Sequence, residues 1–210
     1  CKQRLFAISI KSYGKNLTIF FTLSDMVCLK IAAERKKFDI VKKDVETVQK
    51  LSQLAGELQN ENLTDASDDA LRQAGLSFRV NDHHLKQAML LASMSQAYQS
   101  LIKKQKDETK EQKDKNLEYQ KLAEAKINQS LSYLNKSGNN TASPQGLQIK
   151  VLVKGNQGKL LADKSKQQAI NAYTTAYKTL KNHPKETNPF QNNQILTTDD
   201  IESDHRYPTN

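Results

Sequence analysis

Residues 103–116, KKQKDETKEQKDKN, carry no apolar side chain, yet helical apolar periodicity lies on both sides of them. Such a stretch has nothing to bury, so it has to be a solvated helix or an open connection. On its N-terminal side Leu85, Ala88, Met89 and Ala92 share one helical face, while Leu90, Met94, Ala97 and Leu101 share the neighbouring face. An apolar arc that wide requires partners on more than one side and marks a central buried helix. On its C-terminal side Tyr119, Ala123, Ile127, Leu131 and Leu134 recur at spacings of 4, 4, 4 and 3. Together the pieces read as one long helical stretch over 83–135, with other helices packed on its two apolar ends.

The composition agrees with helices and with a thin core. Only 37% of the 210 residues are hydrophobic, the mean hydropathy is −0.74, Trp is absent, and 7 Gly and 4 Pro leave few interruptions. Shared helix–helix seams are expected rather than one large globule. The expected class is all-α: an elongated bundle of αα-hairpins with a long central helix. Cys1 and Cys28 are too few for a disulfide framework and fit a reducing, cytoplasmic setting. Because the chain starts at Cys1 and ends in RYPTN, it reads as a fragment of a longer protein.

The net charge of +9 is unevenly spread. Residues 1–43 hold 10 basic and 3 acidic side chains, and residues 117–183 hold the same numbers, while residues 44–82 hold 3 and 8. The acidic block can partly neutralise a basic one. Lys greatly outnumbers Arg and no base-reading motif occurs, so nucleic acid is disfavoured as a partner despite the basic face of 117–183.

Residues 5–33 admit three readings. LFAISI and LTIFFTL can be the strands of a hairpin turning at 12–16. Residues 16–33 can be a membrane helix, which would make the chain a module tethered to an inner membrane. That span is barely long enough, and Asp25 and Lys30 each cost about 2.5–3.5 kcal/mol near a bilayer centre. The third reading is an ordinary buried helix.

The next segments divide more clearly. Phe38, Val41, Val45, Val48, Leu51, Leu54 and Leu58, spaced 3, 4, 3, 3, 3 and 4, read as one stripe of an amphipathic helix close to a coiled-coil seam. Residues 60–64 end it, and Thr64 or Ser67 caps a second helix whose apolar face is Leu71, Ala74 and Phe78. Asn81 and Asp82 cap the central helix. SGNNTASPQG (137–146) is a break, with Ser143 and Pro144 starting a further helix. The expected divisions are therefore an apolar and basic segment over 1–33, a bundle with a solvated helix over 34–136, a helical hairpin over 144–184, and a polar tail over 185–210.

Residues 147–184 read as helix, turn, helix, and their small and aromatic positions resemble the tetratricopeptide repeat. Gly158, Ala169, Tyr173, Ala176 and Pro184 echo that family's glycine, alanine, aromatic, alanine and proline. The Gly-to-Ala gap is one residue short, the proline is displaced, and Lys154 stands where the family has a large apolar residue. The resemblance implies close helix approach, with Tyr173 filling the gap. More weakly, residues 20–100, with AERKKF, ALRQAGLSF and LKQAMLLASMSQAY, resemble the helical connectors of bacterial STAND-type signalling proteins.

No catalytic, cofactor or metal set emerges. Gly155-Asn156-Gln157-Gly158-Lys159 has two residues between its glycines, where a phosphate loop needs four and then a hydroxyl, so it reads as a helix–helix turn. His83 and His84 are adjacent and diverge by about 100° on a helix, so they cannot chelate one ion together. The expectation is a non-catalytic interaction or connector region whose packing residues are Leu90, Met94, Ala169, Tyr173 and Ala176. Its expected partner is another protein or flanking domains of the same chain.

Overall fold

The computed structural model describes residues 5–12, 15–102 and 109–182. The chain divides into two compact units, Cys1–Lys43 and Asp44–Asn210. The fold is all-α apart from one two-stranded hairpin in the first unit. Pro184 and the tail 185–210 lie outside the described residues.

In the first unit β1 (Leu5–Ser12) pairs antiparallel with β2 (Lys15–Thr22). The register sets Phe6 opposite Phe21, Ile8 opposite Ile19 and Ile10 opposite Leu17. Apolar positions thus meet apolar positions at a period of two, which is what fixes a register. Of the three readings of 5–33, the hairpin is the one adopted. The membrane helix over 16–33 is overturned: its first part lies in β2, and α1 (Leu23–Asn60) takes the rest. The β-branched and aromatic run Thr18-Ile19-Phe20-Phe21-Thr22 favours a strand, and no helix of the described residues is long and apolar enough to cross a membrane.

The second unit is built around α3 (His83–Leu101). Leu85, Ala88, Met89 and Ala92 pack into one core with Ile127, Leu134, Ile149 and Leu152. Leu90, Leu91, Met94, Ala97 and Leu101 pack into a second core with Leu51, Leu54, Leu58 and Ala70. The two faces expected of this helix therefore serve two separate cores. Asp82 caps it, its Oδ1 accepting from the Leu85 amide at 2.8 Å and its Oδ2 from Asn140 Nδ2 at 2.7 Å.

The expected long central rod is instead two helices folded back on each other. Ser95 Oγ donates to the Ala123 carbonyl at 2.8 Å, and Ser130 Oγ to the Ala88 carbonyl at 2.6 Å. As the position advances along α3 it retreats along α4 (Lys110–Lys136), so the pair is antiparallel. Thr109 begins α4 by accepting from the Gln112 amide at 3.2 Å, and residues 103–108 lie outside the described residues. Small residues at the crossing let the backbones approach, and the serines use that proximity to reach a carbonyl on the other helix.

Two apolar faces are turned differently from the sequence expectation. On α1 the buried positions of the second unit are Asp44, Thr47, Leu51, Leu54, Ala55 and Leu58, and Asp44, Thr47, Leu51, Leu54 and Leu58 recur at spacings of 3, 4, 3 and 4. The all-apolar stripe runs at 3, 4, 3, 3, 3 and 4, and each step of three falls short of the 3.6-residue turn, so it wraps around the helix. Phe38, Val41 and Val45 are accordingly exposed, at 69%, 59% and 45%. On α2 (Thr64–Ser77) Ala74 is buried, but Leu71 and Phe78 are exposed. Neither Thr64 nor Ser67 caps α2; Ser67 Oγ ties it to α1 through the Ala55 carbonyl at 2.8 Å.

A 3-10 turn (Gly138–Ala142) leads into α5 (Pro144–Leu161), which Ser143 caps with Pro144 in the first turn, as expected. The segment Gly155–Lys159 is not a turn: α5 runs through it without a break. Gly158 serves close packing instead. A β-carbon on Gly158 would lie 2.7–2.9 Å from the Tyr173 ring on α6 (Lys166–Lys181). Tyr173 is 5% exposed, so the ring has little room to retreat. Gly158→Ala is therefore expected to lower the melting temperature, although alanine is the better helix former by about 1 kcal/mol. The overpacking cost is about 1–3 kcal/mol. Thermal denaturation should also show that Gly158→Ala and Tyr173→Leu combine less than additively, as residues in contact do.

Candidate functional site

Leu90, Met94, Ala169, Tyr173 and Ala176 are all buried, with exposures from 0% to 5%. Leu90 and Met94 belong to the second core. These five positions hold the chain's own helices together and are not presented to a partner.

The densest group of titratable side chains sits where α1 meets α3. Asp44 is 8% exposed. Its Oδ1 lies 2.8 Å from His83 Nδ1 and accepts from Gln87 Nε2 at 2.8 Å, while its Oδ2 lies 3.3 Å from Lys86 Nζ. Thr47 Oγ1 donates to Gln87 Oε1 at 3.2 Å. The His83 and His84 rings stand 6.1 and 5.9 Å from the Tyr133 ring, and Lys136 Nζ lies 5.2 Å from that ring's centre. The two histidines thus point to a common aromatic neighbour rather than to a common ion, and no group of three metal-ligating side chains occurs among the described residues.

An acid–imidazole pair can orient a base. Here, however, the carboxylate is also held by Gln87 and Lys86, so its electrostatic work is to lock α1 onto α3. Removing the carboxylate leaves Lys86 and Gln87 facing a partly buried site without their acceptor. Asp44→Ala is expected to destabilise the second unit by about 3–5 kcal/mol, as loss of one member of a buried pair does. Chemical denaturation checks it, with Asp44→Asn expected to recover part of the loss because the amide oxygen still accepts.

Two further surfaces lie outside this cluster. The first is the exposed part of α1 in the first unit, where Ile31, Phe38 and Val41 recur at spacings of 7 and 3. At 100° per residue, Arg35 and Lys42 flank this strip on one edge, and Lys30 and Lys37 on the other. Lys37 Nζ contacts Glu34 Oε1 at 3.0 Å. The second is a groove of about 430 Å³ between the end of α4, the 3-10 turn and α5. Leu131, Leu134, Asn135, Thr141, Lys150 and Lys154 line it. Lys154 Nζ donates to Gln157 Oε1 at 2.9 Å.

Burial holds the Lys154 ammonium below the ordinary lysine range, and the charge of Lys150 lowers it further. The unfolded chain therefore binds more protons than the folded one between the depressed value and the ordinary one. Stability linked to this residue is lowest while Lys154 is charged and rises with pH through that window. A Lys154→Met variant is expected to be more stable than the parent at neutral pH. The gap should narrow as pH climbs toward the ordinary lysine range, measured as melting temperatures of the two proteins in parallel.

Compared with protein-family models, curated proteins and solved structures, the chain matches none of them. Of these features the sequence pointed to the small-and-aromatic helix contact. It missed Asp44 because the all-apolar stripe drew attention to the wrong face of α1. A stripe kept at 3.6 residues per turn through Leu51 and Leu58 would have included Asp44 and Thr47 and flagged a buried carboxylate.

Proposed function

We propose that the chain is a non-catalytic helical docking or connector module of a larger signalling protein, and that it binds its partner through the exposed strip of α1. The observation that carries this reading is the exposure of Ile31, Phe38 and Val41, at 48%, 69% and 59%, on one helix face. Large apolar side chains rimmed by charge are the usual mark of an interaction surface. The strip is narrow, Ile31 and then Phe38 with Val41 in successive heptads and Glu34 between them, which suits a partner helix packing along it. A face lying on a bilayer would be broader.

Charge decides which helix fits. Lys30, Arg35 and Lys42 outnumber Glu34, which is paired with Lys37, so the flanks are net cationic and a second copy of this chain would set like net charge against like. The complementary partner is an amphipathic helix whose apolar edge is flanked by carboxylates, on a separate protein or on a flanking domain. The tetratricopeptide-like α5–α6 pair belongs in this reading to the body of the second unit, its small and aromatic residues packed within it.

Titration of the chain against two labelled helical peptides tests the proposal. The peptides share apolar seam positions, one with Glu and one with Lys at the flanks. Fluorescence anisotropy is expected to show binding of the Glu peptide, weakened by about tenfold or more in Phe38→Asp, an anchor-sized loss. Equal binding of both peptides, self-association of the chain that Phe38→Asp abolishes, or strip-dependent binding to anionic vesicles in place of the peptide would each overturn it.

A further inference from the structure

We propose that the groove between α4, the 3-10 turn and α5 is a binding site for a small oxyanion, a phosphate or carboxylate on a short apolar stem, held by Lys150 and Lys154. The two lysines are one helical turn apart, so both line the same side of a groove of about 430 Å³. No carboxylate is among its lining residues. Leu134 is buried at the floor and Leu131 is half-buried beside it, while Asn135 offers an amide at the rim. The site thus presents two cations over an apolar base, which matches an anionic head on a carbon stem.

The half-buried Lys86 is treated differently, set 3.3 Å from Asp44. Lys150 and Lys154 instead line one groove that has no carboxylate in its lining, and the charge of Lys150 disfavours that of Lys154. An arrangement that costs folding free energy is relieved when a bound anion lies between the two ammoniums, because charge-assisted hydrogen bonds then replace like-charge repulsion. A structural role predicts the opposite: lysines that served only to steady the adjacent end of α4 would stabilise the protein, and removing one would weaken it.

The test uses the full chain and inorganic phosphate, with melting temperature read against chloride at matched ionic strength. Phosphate is expected to raise the melting temperature in a saturable way. Lys154→Met is expected to melt higher than the parent in chloride and to lose the phosphate shift, and Lys150→Gln to weaken the phosphate response by about tenfold. Butyl phosphate and butyrate then distinguish the head group, the better ligand giving saturation at lower concentration. Isotope-labelled amide spectra of the parent chain provide a readout that needs no variant, with shifts expected at Thr141, Lys150 and Lys154. An equal phosphate shift in parent and Lys154→Met, which is general salt stabilisation, would overturn the proposal. So would a Lys154→Met protein that melts lower in chloride, or amide shifts centred away from the groove.

Discussion

The second unit depends on burying α3 on two sides at once. A helix this apolar cannot present a polar face to water, so α1 and α2 must cover one side of it while α4 and α5 cover the other. The two cores are thereby coupled through a single rod of Ala, Met and Leu. Small side chains along that rod bring its neighbours close enough for Ser95 and Ser130 on opposite helices to reach carbonyls across the gap. Asn156 on α5 does likewise, its Nδ2 donating to the Ala92 carbonyl at 3.2 Å. Polar groups in this core are tolerated because close packing supplies each of these with a partner.

Much of this was legible from the residues. The two faces of α3, the Asp82 and Ser143 caps and the close contact expected around Tyr173 follow from helical spacing and from side-chain chemistry at helix ends. What was not legible shares one cause: hydropathy reports which residues are greasy but not which way a helix turns. On α1 an all-apolar series drifted around the cylinder, and the face that remained in register with the core included Asp44 and Thr47. On α2 the same ambiguity put Leu71 and Phe78 outside and Gln73 and Ser77 inside. The described part of the polar stretch, 109–116, is exposed or half-buried, in keeping with its lack of apolar side chains, but solvation alone does not distinguish a straight rod from two antiparallel helices. Only the residues it connects could decide, and Ala123 and Ser130 are small enough to let α4 lie back along α3.

The candidate sites differ in how far sequence could reach them. A lysine in a position that resembles an apolar one in a repeat family, as Lys154 does, is a visible anomaly, but its meaning depends on Lys150, Asn135 and Thr141 converging from three elements. The Gly155–Lys159 segment shows the reverse hazard. Its glycines suggested a turn or a phosphate loop, while the fold uses them inside a helix, Gly158 making way for the Tyr173 ring. Glycine near a lysine carries two opposite messages, backbone freedom and close approach, and the choice between them rests on what packs opposite.

Apolar surface is used in two ways along this chain, and the contrast explains where recognition belongs. In α3 nearly every apolar side chain is consumed by internal packing, so substitution there changes stability before it changes binding. In α1 the leucines from Leu51 onward are consumed in the same way, whereas Ile31, Phe38 and Val41 remain accessible. A chain with so thin a core gains more folding free energy from each buried residue than it can spare, and leaving a phenylalanine largely in water forgoes about 1.5–3 kcal/mol of burial. That loss is tolerable where a partner supplies the missing contact. In the docking role we propose, the net-cationic flanks would act on a different quantity from the apolar strip: the strip would provide affinity for a greasy helix, and the charges would select among helices by penalising those with lysine or arginine at the flanks.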